Sequence, residues 1–427
     1  MAWWNPFSDS KSREIEVKAT IGDAGDPIRQ FLLYGARSNA ENPGSALDLY
    51  EKSTAIAIPV NKIAEKFADL TPIIMVGDEK ISEHPLLDLL NRPNDDFDQE
   101  LFMLNMAINY LVTGEVFFVE LGTSGKPPLQ IYPMTPRNVQ HSDSGGFITS
   151  FEITGDHFGG VYMRDDSQFW SREGLRSLVQ IRNFSLKDNS MYRGRSKLIS
   201  ASDTARQQIL GTEHNLSILE KGGRLSLLFA FDTDMDDDDF KLTQERVAAQ
   251  FGGAEKAGQI GVTAGGSVDI KNLSQTNQDM DWAGAQNLSA RILALTYNLP
   301  LPLLSLEAAT MNNYQSALEA LYDDAVTPLS KVIYGGIERS LGQRFKLPDN
   351  ARLTYDEEKI PALVRRRNEQ VKMRADLGIE SDNELRNMIG RENYQGGDQI
   401  YKASNLLPVG TDLFDDDGES IVGDDEI

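Results

Sequence analysis

Between Gly194 and Lys221 the chain runs GRSKLISASDTARQQILGTEHNLSILEK without a proline. As one helix this stretch would span about 40 Å before Gly222-Gly223 stops it. A second helical pattern, MDWAGAQNLSARILALTYN, stops at Pro300. The segment between them, roughly fifty residues, reads as a compact unit. RLSLLFAF is a strand, DDDDFKLTQERVAAQFGG a short helix with an acidic start, and QIGVTAGGSVDIKNL two strands turning at Gly265-Gly266. Two long helices bracketing a small α/β insert form a stalk with a head on its end, and few globular folds accommodate that.

Upstream, apolar residues recur at helical spacing from Leu49 to Leu70, interrupted by Pro59, which should kink the helix or end its first part. PIIMV reads as a strand. HPLLDLLNRPN is a short helix, and DDFDQELFMLNMAINYLVTG a capped amphipathic helix ending at Gly114. EVFFVELG, LQIYPM, FITSFEIT and LVQIRNF are strand-like runs between Gly, Pro and Asp turns. The first 190 or so residues are therefore an α+β domain.

Downstream of the second stalk helix comes LPLPLLSLEAATMNNYQS, a rigid apolar entry that dissolves into small and amide side chains. Pro300 and Pro302 turn the chain aside, Leu303 and Leu304 anchor it, and a helix from Tyr314 or Gln315 secures the far end. That helix runs to Phe345 with Pro328 as its expected kink. The stretch from Lys359 to Gly390 reads as two helices divided at Gly378, the second capped by Ser381 or Asp382.

Composition narrows the chemistry. With no cysteine in 427 residues, disulfides, thiolate metal sites and cysteine nucleophiles are excluded, which fits a reducing compartment. No apolar run approaches the ~20 residues of a membrane helix, and the start of the chain lacks a signal-peptide pattern. Trp3, Trp4 and Phe7 read as an arm packing on a neighbour or as a poorly ordered end. A formal charge of −23 disfavours a static binder that neutralises phosphates. Asp412 to Ile427 carries acids and no bases, and reads as a solvated, disordered tail.

Catalytic signatures are absent. His84, His141, His157 and His214 have no metal-ligand spacing, and neither a G-x-S-x-G elbow nor a G-x-x-x-x-G-K-[ST] loop occurs. Asp234, Asp236, Asp238 and Glu245 fall in a calcium-loop register, but Asp239 stands where its glycine is required. Acids at a helix start are favoured by the macrodipole without any ion. Arg365, Arg366, Arg367, Lys372 and Arg374 form the one basic cluster, read as a solvated or salt-bridging face or as a DNA-facing patch.

The order of parts and several colinear motifs resemble the portal protein family of tailed double-stranded-DNA phages, in its siphovirus-type branch. The motifs are STAIAIPVNKIAEKFADL, HPLLDLLNRPND with FMLNMAINYLVTGEVFFVEL, LQIYPMTPRNVQ, SMYRGRSKLISA, GGRLSLLFAF, GQIGVTAGGSVDIKNLS, ILALTYNLPLPLL and SDNELRNMIGRENYQGGDQIYKASNLLPVG. The resemblance implies an α+β ring subunit with an N-terminal arm (1–48) and a wing (49–194, completed by 315–358). Stem helices (195–223 and 275–299) would flank a small α/β clip (224–274). A tunnel loop (300–314), a helical crown (359–410) and an acidic tail (411–427) complete the expected parts. It also implies a homo-oligomer, most often of twelve subunits, at one capsid vertex of the virion, assembled in the host cytoplasm.

Implied partners are the terminase large subunit, the major capsid protein and scaffold, a head-tail connector, and double-stranded DNA passing through the channel. No cofactor, metal, membrane or enzymatic activity is implied. Carried onto this chain, the tunnel loop offers Glu307, Thr310, Met311, Asn312 and Asn313 to DNA. The family's usual small or glycine-rich tip is replaced here, so which of them faces DNA stays open. Partner docking falls on Asp236, Asp237, Asp238, Lys241 and Glu245 of the clip, and a crown contact with DNA on Arg365, Arg366 and Arg367. The alternatives are the portal of a domesticated prophage or gene transfer particle and, remotely, a calcium-dependent hydrolase using the Asp234 to Glu245 segment.

Overall fold

The computed structural model describes residues 43–77, 79–123, 126–144, 147–155, 157–164, 170–172, 176–185, 193–220, 227–231, 268–272, 282–304, 311–378 and 380–400. Helices α1 (Pro43–Lys52) and α2 (Thr54–Ala68) open the described chain. The break between them is at Ser53, and α2 continues through Pro59, so of the two expected outcomes the helix does not end there. Pro59 lies on the buried face with Ile56, Val60, Ile63 and Phe67, so packing outweighs the backbone bond that proline cannot make.

Strand β1 (Pro72–Val76) pairs antiparallel with β2 (Glu79–Ile81) on one side. Its other neighbour is β12 (Ala351–Tyr355), almost three hundred residues downstream. Helix α3 (Pro85–Asn91) starts at His84, whose Nδ1 accepts from the Leu86 amide at 3.2 Å; the histidine is a helix cap. Helix α4 (Gln99–Thr113) is capped by the Asp98 carboxylate and closed by Gly114 at φ 83°.

A seven-stranded antiparallel sheet follows, in the order β4-β3-β9-β8-β7-β6-β5. Its strands are β3 (Glu115–Leu121), β4 (Gln130–Met134), β5 (Val139–Ser144), β6 (Phe147–Ile153), β7 (Gly160–Arg164), β8 (Trp170–Arg172) and β9 (Arg176–Arg182). The two edge strands, β4 and β5, are joined by four residues, which reach at most about 18 Å from Met134 to Val139. In a flat sheet six strand spacings would hold those edges about 29 Å apart. The sheet must therefore curl, and Phe117, Val119, Val139, Phe151, Ile153, Tyr162 and Leu178 meet in one cluster inside the curl.

The alternate residues of β3 and β9, namely Val116, Phe118, Val179 and Ile181, face the helices and join the larger core. Both faces of β3 are thus buried, which is why it reads VFFV rather than alternating with polar residues.

Helix α5 (Ser202–Glu220) is preceded by a short 3-10 turn at Lys197–Ile199, so it is about 28 Å long rather than the 40 Å expected of an unbroken run. It packs beside α6 (Trp282–Thr296), with Ala205 and Ile209 buried on one and Leu293 and Ala294 on the other. Strands β10 (Leu227–Phe231) and β11 (Val268–Asn272) pair antiparallel. The expected helix after Phe240 and strand at Gln259 lie outside the described residues.

Next come α7 (Met311–Leu321), a π-turn at Tyr322–Val326 and α8 (Thr327–Leu341). At the expected kink the helix widens in the turn immediately before Pro328. Helices α9 (Pro361–Leu377) and α10 (Asp382–Met388) end the described chain. Gly378 at φ 62° separates them, and Ser381 and Glu384 form a reciprocal capping box.

Candidate functional site

The segment expected to reach a partner or DNA leaves from the end of α6. There Asn298 adopts φ 58°; its amide donates to the Leu295 carbonyl and that of Leu299 to Ala294, both at 3.0 Å. This is a Schellman ending, with Pro300 placed just beyond it. Tyr297 and Leu299 are buried, the 3-10 turn Leu301–Leu304 buries Leu303, and the turn packs on α7. Glu307 and Thr310 lie outside the described residues. Met311, Asn312 and Asn313 are exposed, but they form the first turn of α7 rather than a loop, because the helix begins three residues earlier than the sequence reading placed it. Ala317 and Leu321, one and two turns on, are buried and hold that helix to the core.

The far side of the segment is a junction of four elements around the π-turn. The Thr327 amide donates to the Tyr322 carbonyl five residues back. Pro328 has no N–H to give the Asp324 carbonyl, and Asn298 Nδ2 donates to that oxygen at 3.1 Å. Thr327 Oγ1 and the Tyr355 hydroxyl of β12 are 2.7 Å apart. Burial pushes the Tyr322 phenol up, against the nearby Lys66 ammonium of α2, which lowers it.

Helix α9 is tied to the same junction by charge. Arg365 donates to Glu319 of α7 at 2.5 Å, and Arg366 pairs with Asp323 in the π-turn. Arg367 reaches Glu358 at 3.5 Å. Arg374 pairs with Glu380 at 2.8 Å, so all four guanidiniums of the basic cluster have carboxylate partners within the chain. The clip residues Asp236, Asp237, Asp238, Lys241 and Glu245, and with them the calcium register, lie outside the described residues. Among the described residues no group of three or more His, Asp or Glu side chains could hold a metal ion, and no helix is long and apolar enough to cross a membrane.

A second constellation explains the stretch RGRS (193–196) at the approach to α5. Glu115, fully buried at the first position of β3, accepts from Arg193 Nε at 2.8 Å, Gln180 Nε2 at 3.0 Å and the Gly194 amide at 3.0 Å. Arg193 Nη1 continues to the Val139 carbonyl and His141 Nδ1. Gly194 lies so close to Gly114 that a Cβ on either would overlap the other segment's backbone. Ser196 then caps the 3-10 turn and donates to the Val112 carbonyl. The motif is a structural lock holding the approach to α5 on the α4–β3 corner.

Neither Asn298 nor the π-turn was singled out from sequence. The available signal for the first was an asparagine between a helical run and Leu-Pro, where the left-handed C-cap belongs; for the second it was Pro328, which withholds an amide from the preceding turn.

Comparison with known proteins identifies the fold and the family. Residues 54–390 match the family described as phage portal protein. An uncharacterized protein of Rickettsia bellii (strain RML369-C) is 24% identical over 405 residues, covering 93% of this chain and 99% of that one. The chain superposes on the neck of an empty gene transfer agent particle computed with C6 symmetry at TM-score 0.61 and 19% identity, covering 83% of this chain and 94% of the other. It matches an HK97 family phage portal protein from Corynebacterium diphtheriae at TM-score 0.53 and 13% identity, covering 74% and 97%. The pairing of a mixed helix-and-sheet fold along nearly the full length of these structures with a family match over most of the sequence establishes that the chain belongs to the phage portal protein family.

Proposed function

We propose that this chain is a portal subunit: copies of it form a ring at one vertex of a capsid, and the ring is the channel for genome packaging and ejection. The family match over residues 54–390 carries this reading. In it the helix-and-sheet body is the wing, α5 and α6 are the stem, and β10 and β11 belong to the clip. Helices α9 and α10 form the crown, and the segment from Pro300 to Tyr314 lines the channel. Terminase and, later, a head-tail connector dock at the clip through Asp236, Asp237, Asp238, Lys241 and Glu245, while major capsid protein and scaffold surround the wing. The energy for packaging comes from the terminase.

The chemistry of the chain supports a conduit rather than a tight binder. Every fixed cation on a phosphate releases counterions and adds a barrier to the next step of DNA movement. A chain of charge −23 repels the duplex from the wall. Met311, Asn312 and Asn313 contribute apolar and amide groups to the exposed turn, which touch without holding. Contact of DNA with Arg365, Arg366 or Arg367 would exchange their carboxylate partners for phosphates.

Electron microscopy of the purified protein is expected to show rings with a central hole; a monomer by light scattering would overturn the reading. Asn312→Asp with Asn313→Asp should leave the ring intact and alter DNA packaging or retention. Normal packaging of full-length DNA by that double variant would remove the turn from the channel. A second reading, the portal of a gene transfer particle, is compatible with the likeness of the fold to the gene transfer agent neck at TM-score 0.61. Sequencing the DNA inside particles separates the two, since a phage packages its own genome and a transfer agent packages host fragments.

A further inference from the structure

The left-handed residue that ends α6 is asparagine, although glycine adopts that conformation without steric cost. Its amide supplies the reason. In an unbroken helix the Asp324 carbonyl would accept from the amide of residue 328, but residue 328 is proline and has none. The Thr327 amide is already committed to Tyr322, five residues back. Asn298 Nδ2 donates to the Asp324 oxygen at 3.1 Å and so closes a loop of 26 residues between the end of α6 and the π-turn. Within that loop the Leu301–Leu304 turn packs on α7, and Leu303 is buried.

We propose that Asn298 is a positioning residue: its side chain ties the end of α6 to the Tyr322–Val326 turn and thereby sets where the exposed first turn of α7, carrying Met311, Asn312 and Asn313, stands relative to α6. The tie itself follows from the hydrogen bond and the proline. Its consequence for DNA rests on the portal reading above.

The decisive variants separate satisfying a carbonyl from joining two elements. Asn298→Gly keeps the left-handed conformation and removes the donor. Asn298→Gly with Pro328→Ala restores a backbone donor for Asp324 from within the long helix, but leaves α6 untied. Hydrogen exchange of the full-length protein is read in the peptide covering residues 311–318. The single variant should exchange there roughly fivefold faster, the effect of losing one hydrogen bond of about 1 kcal/mol. The double variant should stay fast there while protection returns around 324–330.

Exchange equal to wild type in Asn298→Gly overturns the proposal, as does return of protection at 311–318 in the double variant. DNA retention by particles carrying Asn298→Gly is the second readout, with loss expected. A loosened α7 turn with normal retention upholds the tie and overturns the assignment of that turn to the channel.

Discussion

Two Arg–carboxylate pairs in this molecule have the same chemistry and opposite surroundings. Arg344 and Glu120 are both almost fully buried, joined by Nη1 to Oε2 at 2.7 Å and Nη2 to Oε1 at 2.5 Å, with Arg344 also donating to the Ser340 carbonyl. Arg366 and Asp323 meet at the junction of α9 with the π-turn and are about one-third and one-half exposed. The first pair joins β3 to the end of α8 in a medium that punishes an unpaired charge, whereas water readily replaces either partner of the second. The β3–α8 contact is therefore held by a pair that cannot be broken singly, while the α9 junction, in the region expected to meet DNA, is held by pairs that can exchange.

The largest test of that contrast is Arg344→Leu, which leaves Glu120 buried without its cation. It should cost about 3–5 kcal/mol in denaturant unfolding. Adding Glu120→Met should recover most of the loss, since two apolar side chains of similar size tolerate the same site. A single variant near neutral would mean that the site relaxes or admits water. Next in size is Gly194→Ala, whose Cβ would overlap the Gly114 carbonyl oxygen and the Glu115 side chain. We expect a loss of about 1–3 kcal/mol and disturbed spectra around the start of α5, as the lock at the α4–β3 corner is forced apart.

The buried pair should also show in pH dependence. Burial pushes the Glu120 carboxyl up, and Arg344 only partly offsets this. A carboxyl raised in the folded state contributes stability that is fully present below its unfolded pKa and lost as pH rises through its folded value. The stability of wild type relative to Glu120→Gln should therefore be greatest below the ordinary glutamate pKa of about 4.3 and shrink as pH rises through the raised value. A difference that grows with pH would show that Arg344 outweighs desolvation.

Legibility from sequence followed the range of the interactions. The ends of α4 and α9 at Gly114 and Gly378, and the Ser381 cap, rest on chemistry within four residues and could be read directly. Strands β5, β7 and β8 could not, because VQHSDS, GVYMR and WSR are ordered by their neighbours in the curled sheet rather than by apolar alternation. β12 depends on β1, far away in sequence. Of the candidate channel residues, Met311, Asn312 and Asn313, expected in a loop, lie inside a helix. An amphipathic pattern starting at Tyr314 gives no sign that the first turn extends into polar residues. The partners of the arginine cluster, Glu319 and Asp323, were equally hidden, since charge pairing between two helices is set by their packing.

The smallest effect should come from the exposed side. Arg366→Ala removes one half-solvated pair, and Arg365→Ala one whose carboxylate, Glu319, is more covered; each should cost within about 1 kcal/mol. The informative quantity is salt dependence. Screening at 0.5 M salt should remove most of what these pairs contribute to unfolding stability, while the Arg344 variant keeps its full deficit because its site excludes ions. Should Arg366→Ala instead lose several kcal/mol independently of salt, the α9 junction would belong with the rigid body. An exchange of its carboxylates for phosphates would then be too costly for a contact that DNA makes in passing.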